Sequence, residues 1–194
     1  MKEKYGWVFH LRGVLMVPPV AFVTLCFWGN VENDWVIQPV GGSVFLAGVL
    51  LRIWSQMHLH YRLKIKKVLT QSGPYVFVRN PIYIANTLIL LGICIMTGVV
   101  WFVPIMLIYC VVVYAFVVRC EEAHLLKKFN DDNEYQEFLN TVPRWIPRFR
   151  AGASAPAIDV RNFLLASIKA ELHCLLYLVL VVLKKTVFVG WSIW

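Results

Sequence analysis

Five stretches of the chain are apolar over lengths that approach the ~20 residues a helix needs to cross a bilayer. They cover residues 6–28, 36–61, 82–96, 99–118 and 163–183. The middle pair comes from one block: between Arg79 and Arg119 there are 39 residues and no charge. A single helix of that length would run to about 58 Å, twice the hydrocarbon thickness, so the block must fold back on itself. Thr97-Gly98, with Pro104 just beyond, is the natural turn, and it predicts a tight helical hairpin. The second stretch carries one interior charge, Arg52, and the fifth is interrupted by Lys169, Glu171 and His173. Polar residues inside a span normally face the bundle interior.

Composition agrees with this pattern. Of the 194 residues, 59% are apolar and only 15% charged, whereas a soluble domain carries about 25% charged residues. A soluble globule of this size cannot hide that much apolar surface. The expected architecture is all-α, an integral membrane bundle of about five transmembrane helices with an amphipathic helix on the cytoplasmic face. Residues 1–150 form the core, with its candidate motifs at 60–148. Residues 151–157 (AGASAPA) read as a linker to a C-terminal hydrophobic helix of the same domain.

The net charge of +8 sits mostly in loops. Arg62, Lys64, Lys66, Lys67 and Arg79 crowd the second loop with no acid among them, while the first loop holds only Glu32 and Asp34. By the positive-inside tendency, the N-terminus, the second loop and the segment after the hairpin face the cytoplasm. Such basic loops suit anionic lipid, and no basic-aromatic module for nucleic acid is present. If the fifth stretch spans, Lys184-Lys185 fall on the outer side. The first stretch reads as an uncleaved membrane helix, because no small-residue cleavage site follows it promptly. The five cysteines are odd in number and widely spaced, which is neither a disulfide framework nor a zinc pattern. His58 and His60 fall on different faces of a helix, and no metal site is expected.

Two polar islands remain. In the first, KKVLTQSGPYVFVRNPIY (66–83), Ser72-Gly73-Pro74 is a turn signal, and Asn80 and Pro81 suit the N-cap and first position of a helix. A helix N-terminus is also an anion site, here beside Arg79, Tyr75 and Tyr83. In the second island, Arg119 and Glu122 are three apart on one helix face, and Glu121 and His124 share another. Two adjacent carboxylates against an apolar run require partners. Tyr135, Phe138, Leu139 and Val142 recur as an amphipathic helix that Pro143 and Pro147 end. The chain has no GxGxxG, P-loop, HExxH or GxSxG.

Together the islands resemble the isoprenylcysteine carboxyl methyltransferase family and its relatives, the membrane phospholipid methyltransferases. The residues carrying the resemblance are Gly73, Tyr75, Arg79, Asn80, Pro81, Tyr83, Glu121, Glu122, Phe129, Tyr135, Phe138, Val142 and Pro143. Two positions depart from the family pattern: Asn80 replaces a histidine and Asn130 a glycine. Asn80 can cap a helix but cannot carry a positive charge.

The resemblance implies S-adenosylmethionine as methyl donor, contacted by His60, Lys67, Val68, Leu69, Thr70, Tyr75, Asn80, Pro81, Ile82 and Tyr83. It implies a prenylcysteine α-carboxylate as acceptor, entering from membrane lipid. Arg119 is then expected to hold that carboxylate, with Glu122 orienting Arg119 or binding a donor on either ligand, and Glu121 assisting. The resemblance places the enzyme in a multi-pass membrane setting, the plasma membrane in a prokaryote, with its active site toward the cytoplasm. The competing readings are a phospholipid N-methyltransferase, a sterol-type membrane reductase and a non-catalytic transport protein.

Overall fold

A computed structural model describes residues 14–31, 33–65, 70–128, 133–148 and 161–187. All regular structure among them is helical. The helices are α1 (Val17–Leu25), α2 (Asp34–Ile65), α3 (Pro81–Met96), α4 (Val103–Lys128), α5 (Asn133–Thr141), α6 (Leu164–Ala170) and α7 (His173–Val187). Short 3-10 turns precede α3, α4 and α6 at Gly73–Val76, Val100–Phe102 and Arg161–Phe163.

The hairpin forms where the uncharged block predicts it. Pro81 starts α3, in the first turn where a missing N–H costs nothing. The helix stops at Met96, and Gly98 takes φ +82°, a left-handed conformation that suits glycine. Trp35–Leu59 and Val100–Leu126 are long and apolar enough to cross a membrane. The bent pair Arg161–Ala170 and His173–Thr186 makes a third span if counted as one. The expected five is therefore not reached among the described helices. α3 has 16 residues and rises about 24 Å. Helix α1 begins at Val17, and residues 6–13 of the predicted first span lie outside the described residues.

Helices α2 and α3 pack backbone to backbone. A Cβ on Gly92 would stand 2.6 Å from the Phe45 amide nitrogen, and one on Gly48 would stand 2.8 Å from the Ala85 carbonyl oxygen. Small residues allow this approach, which is how apolar helices gain dispersion contacts in a lipid solvent. Ile89, Leu90, Ile93, Met106, Tyr114 and Val117 fill the core that α3 and α4 share with α1 and α7. On α4, Ile105, Ile108, Val112 and Phe116 form an exposed stripe at helical spacing, as expected for a lipid-facing surface.

One end of the bundle is closed by polar contacts among apolar helices. The Lys184 ammonium donates to the carbonyls of Val23 (2.8 Å) and Cys26 (2.6 Å), capping α1. Gln38 donates to Met96 O, and the Val31 amide donates to Gly98 O. Lys184 thus lies at the hairpin-tip end, as the spanning reading of the fifth stretch requires. The opposite end carries both polar islands.

Replacing Gly92 with valine forces the α2 backbone away, and overpacking of this kind costs about 1–3 kcal/mol. Gly92→Val is expected to lower the thermal midpoint of the detergent-purified protein. Gly42→Ala, which meets nothing within 4 Å, is expected to leave it unchanged or raise it.

Candidate functional site

The first island is built around a glycine. Gly73 sits at φ +60° and opens the turn Gly73–Val76. The His58 ring of α2 lies over it so closely that a Cβ would meet the ring's Nε2 at 2.4 Å. His58 Nδ1 is 2.9 Å from the buried Ser72 hydroxyl, which locks the turn onto α2. Tyr75 and Val78 are buried beneath it.

The segment after α5 then clamps the start of α3. The Arg79 amide donates to Pro143 O at 2.9 Å, and the Arg148 amide donates to Phe77 O at 3.1 Å. The Asn80 side-chain amide donates to Arg144 O at 3.2 Å. Asn80 therefore does not cap α3 with its side chain, contrary to the sequence expectation. The Phe77 and Pro143 carbonyls and the Arg79 and Arg148 amides gain partners in a region without sheet or helix to supply them.

Glu122, near the end of α4, accepts from two arginines. Its Oε1 takes Arg79 Nη1 at 3.0 Å and Arg144 Nε at 3.1 Å, and its Oε2 takes Arg144 Nη2. The Arg144 pair is the bidentate fork that guanidinium and carboxylate form best. Glu122 and Arg79 are each 15% exposed, and Arg79 Nε is buried with no partner among the described residues. Beside them, the Tyr83 hydroxyl donates to Glu121 Oε1 at 2.6 Å, and the Tyr83 ring lies 4.9 Å from that of Tyr114. Tyr135, buried under the amphipathic helix, has its phenol pushed up to about 12. Burial is the main cause and the Glu122 charge adds to it, against the pull of Arg79 and Arg144.

A half-open cavity of about 430 Å³ adjoins this cluster. It lies between the two hairpin helices, lined by Ile84, Leu88 and Leu91 on α3 and by Leu107, Val111 and Tyr114 on α4. Trp145, next to Arg144, closes one side. The volume falls within the ~300–1,000 Å³ of small-molecule sites, and the walls are almost wholly apolar.

The structure thus brings together Tyr83, Glu121 and Glu122 near Asn80, with Pro81 and Ile82 in the first turn of α3 and Tyr75 in the turn that packs on α2. Arg119 requires a correction. It is exposed and continues the outward stripe of Ile108, Val112 and Phe116, and it forms no ion pair with Glu122. The partners of Glu122 are Arg79 and Arg144, which lie 43 and 22 residues away. Local i,i+3 spacing could not reveal them. The demand of paired carboxylates for cations was the available signal, and Arg144 was overlooked. Thr70 lies at the edge of the described loop. Lys67, Val68 and Leu69 lie outside the described residues, as do the His60 side chain, Phe129 and Asn130. The amphipathic expectation holds: Tyr135 and Phe138 are buried, while Gln136 and Glu137 are exposed.

Gly73→Ala puts a side chain at a left-handed φ, which costs about 1–2 kcal/mol, and drives it into His58. The expected outcome is a lower thermal midpoint together with faster proteolytic cleavage between α2 and α3.

Over 162 residues the chain is 28% identical to the cobalt-zinc-cadmium resistance protein CzcN of Cupriavidus metallidurans, covering 79% of this chain and 72% of that one. Over 138 residues it is 27% identical to the nickel-cobalt-cadmium resistance protein NccN of Alcaligenes xylosoxydans xylosoxydans, covering 71% of this chain and 62% of that one. No solved structure matches it. A family model described as phospholipid methyltransferase matches residues 36–132, half of the chain, including the His58–Gly73 turn, the whole hairpin and both glutamates. The chain belongs to the phospholipid methyltransferase family of membrane methyltransferases.

Proposed function

We propose that this methyltransferase uses S-adenosylmethionine to methylate the α-carboxylate of a prenylcysteine-type acceptor drawn from the membrane. One observation carries the reading. Two arginines held by one glutamate stand at the start of α3, one of them with a buried unpartnered nitrogen, beside a half-open apolar cavity. The arrangement suits two anionic ligands, one of them with a long apolar tail.

The residues present fit the donor. Its carboxylate suits Arg79 Nε and the positive end of the α3 dipole. Tyr75, Asn80, Pro81, Ile82 and Tyr83 would frame it. When bound, the donor supplies an electrophilic sulfonium methyl, so that an acceptor oxygen gains the O–CH₃ bond as the S–CH₃ bond breaks. A carboxylate is already ionised near neutral pH, so no residue has to remove a proton.

The chain's own contribution is placement and dryness. Arg144 takes the role first expected of Arg119. It is fixed by Glu122, partly exposed and next in sequence to the cavity-lining Trp145, and it is assigned the acceptor carboxylate. Good alignment of two reactants is worth about 7–11 kcal/mol in favourable intramolecular cases. Glu122 acts as a positioning residue through both arginines. The cavity holds the prenyl chain, and α5 with the 143–148 segment shields the cluster from water. The basic second loop supports a cytoplasmic position for this end of the bundle, and in a prokaryote the membrane is the plasma membrane. The family's description favours a phospholipid amine as second reading. A cationic headgroup beside Arg79 and Arg144 is the physical argument against it.

Calorimetry with S-adenosylhomocysteine on the detergent-purified protein tests the donor site. Saturable binding is expected, weakened at least about tenfold by Arg79→Ala or Glu122→Gln and unchanged by Arg119→Ala. Absence of binding to folded protein overturns the reading. Methyl transfer is then measured with a prenylcysteine analogue and with phosphatidylethanolamine. Transfer to the first, lost in Arg144→Ala, supports the carboxylate acceptor, whereas transfer only to the second replaces it. The names of the two relatives place them in metal resistance, and we infer the same setting for this chain. A deletion strain is expected to lose growth at raised cobalt, zinc or cadmium, and unchanged tolerance removes that inference.

A further inference from the structure

A second polar group lies away from the arginine cluster, at the break between α6 and α7. The fifth apolar stretch stops being helical at Glu171-Leu172 and bends by 40°. The turn is ordered: the Glu171 amide donates to Ile168 O, the Leu172 amide to Lys169 O and the Cys174 amide to Glu171 O. α7 has 15 residues and rises about 22 Å to the hairpin-tip end, so its start lies within the ~30 Å hydrocarbon depth. A carboxylate, an imidazole and a thiol gathered at that depth are costly without a role.

The break gathers their donor atoms. One ligand atom each from Glu171, His173 and Cys174 lies within 4.8 Å of the others. Cys174 Sγ is 3.4 Å from Glu171 Oε2 and 3.9 Å from His173 Nε2. His173 Nδ1 is 2.9 Å from the Ala170 carbonyl oxygen. A carbonyl can only accept, so Nδ1 carries the hydrogen and Nε2 keeps its lone pair, directed toward the thiol. A ring nitrogen fixed by a backbone carbonyl is the usual support of a metal-binding histidine.

Glu171 is supported in the same way. Although the residue is 4% exposed, its two oxygens are used differently. Oε1 accepts from Arg52 Nε at 2.9 Å and from the Gln56 amide. Arg52 is in turn braced by Asn86 Oδ1 at 2.6 Å. Oε2 meets only the Cys174 thiol among the described residues. The carboxylate is thus oriented from α2 and α3 with one oxygen turned toward the histidine and the cysteine.

We propose that Glu171 Oε2, His173 Nε2 and Cys174 Sγ bind a thiophilic divalent transition ion such as zinc, cobalt or cadmium. A nitrogen, an oxygen and a sulfur donor form a borderline-soft set that disfavours magnesium and calcium. Metal–ligand lengths of about 2.0–2.3 Å require ligand atoms about 3.3–3.6 Å apart in a tetrahedron, so the set closes with movements of about 1 Å. Three protein ligands leave a fourth position open, on the side where His173 is exposed. On binding, the Cys174 S–H bond breaks, the sulfur keeps the electron pair as a metal thiolate, and the proton passes to solvent. Arg52 keeps its place on Oε1 and moderates the affinity. The site does not depend on the methyltransferase reading.

The test uses the full chain in detergent, stripped with a chelator and titrated with Co²⁺ alone. One equivalent is expected to bind, with a thiolate-to-cobalt charge-transfer band and the visible bands of four-coordinate cobalt. Cys174→Ser is expected to abolish the charge-transfer band, while Cys26→Ser and Cys120→Ser retain it. His173→Ala, at an exposed position that the fold does not need, is expected to weaken binding at least about tenfold. A wild-type protein without the band, a band that survives Cys174→Ser, or equal affinity in His173→Ala overturns the site. Binding of S-adenosylhomocysteine, measured in the same sample, keeps failure here separate from failure of the donor site.

Discussion

The Glu122 carboxylate holds together three pieces of chain that would otherwise have no reason to meet. Arg79 precedes α3, Glu122 ends the membrane part of α4, and Arg144 follows α5. A carboxylate just past an apolar run of this length is in poor solvent and must find cations. Both available cations bring backbone with them. Arg79 fixes the start of α3, and Arg144 brings the 143–148 segment, whose amides and carbonyls then pair with residues 77–80. The ion triad therefore sets where α5 lies, which side of the hairpin cavity Trp145 closes and which nitrogen of Arg79 is left over.

The same rule governs the other buried glutamate. Glu171 sits among apolar helices and is reached by Arg52 from α2. In water such pairs contribute little, but in the interior an unpaired member costs several kcal/mol, so pairing becomes close to obligatory. Arg52 and Glu171, each an interruption in its own apolar stretch, become a link that orients α6 and α7 against α2. Lys184 does the equivalent at the other end by using the carbonyls that α1 leaves unpaired. Between these polar fixings the helices meet through small residues and dispersion, which have little directional preference of their own.

What the sequence made readable follows from which interactions are local. The hairpin was legible because 39 uncharged residues exceed one membrane crossing and only Thr97-Gly98 offers a turn. The turn at Gly73 and the amphipathic helix at Tyr135–Phe138 are likewise short-range facts. Partner choice was not legible. Arg119 is three residues from Glu122, yet helix α4 turns it outward with Phe116 and Val112, while partners 43 and 22 residues away reach the carboxylate. The outward stripe at 105, 108, 112 and 116 was in the sequence and points to residue 119. The number of spans is less directly legible: apolar length measures what lipid tolerates, and α3 has only 16 residues.

The triad also decides which charge the site can accept. Glu122 receives three N–H groups from two guanidinium ions, so its own charge is spent within the cluster, and the neighbouring Glu121 carboxylate offsets the second guanidinium. Among the described residues, Arg79 Nε has no acceptor of its own. The family's general chemistry is open to either kind of acceptor. The pairing of Arg144 with Glu122 joins the site to a segment beyond the part of the chain that the family model matches, so this part of the site is set by residues the family match does not cover.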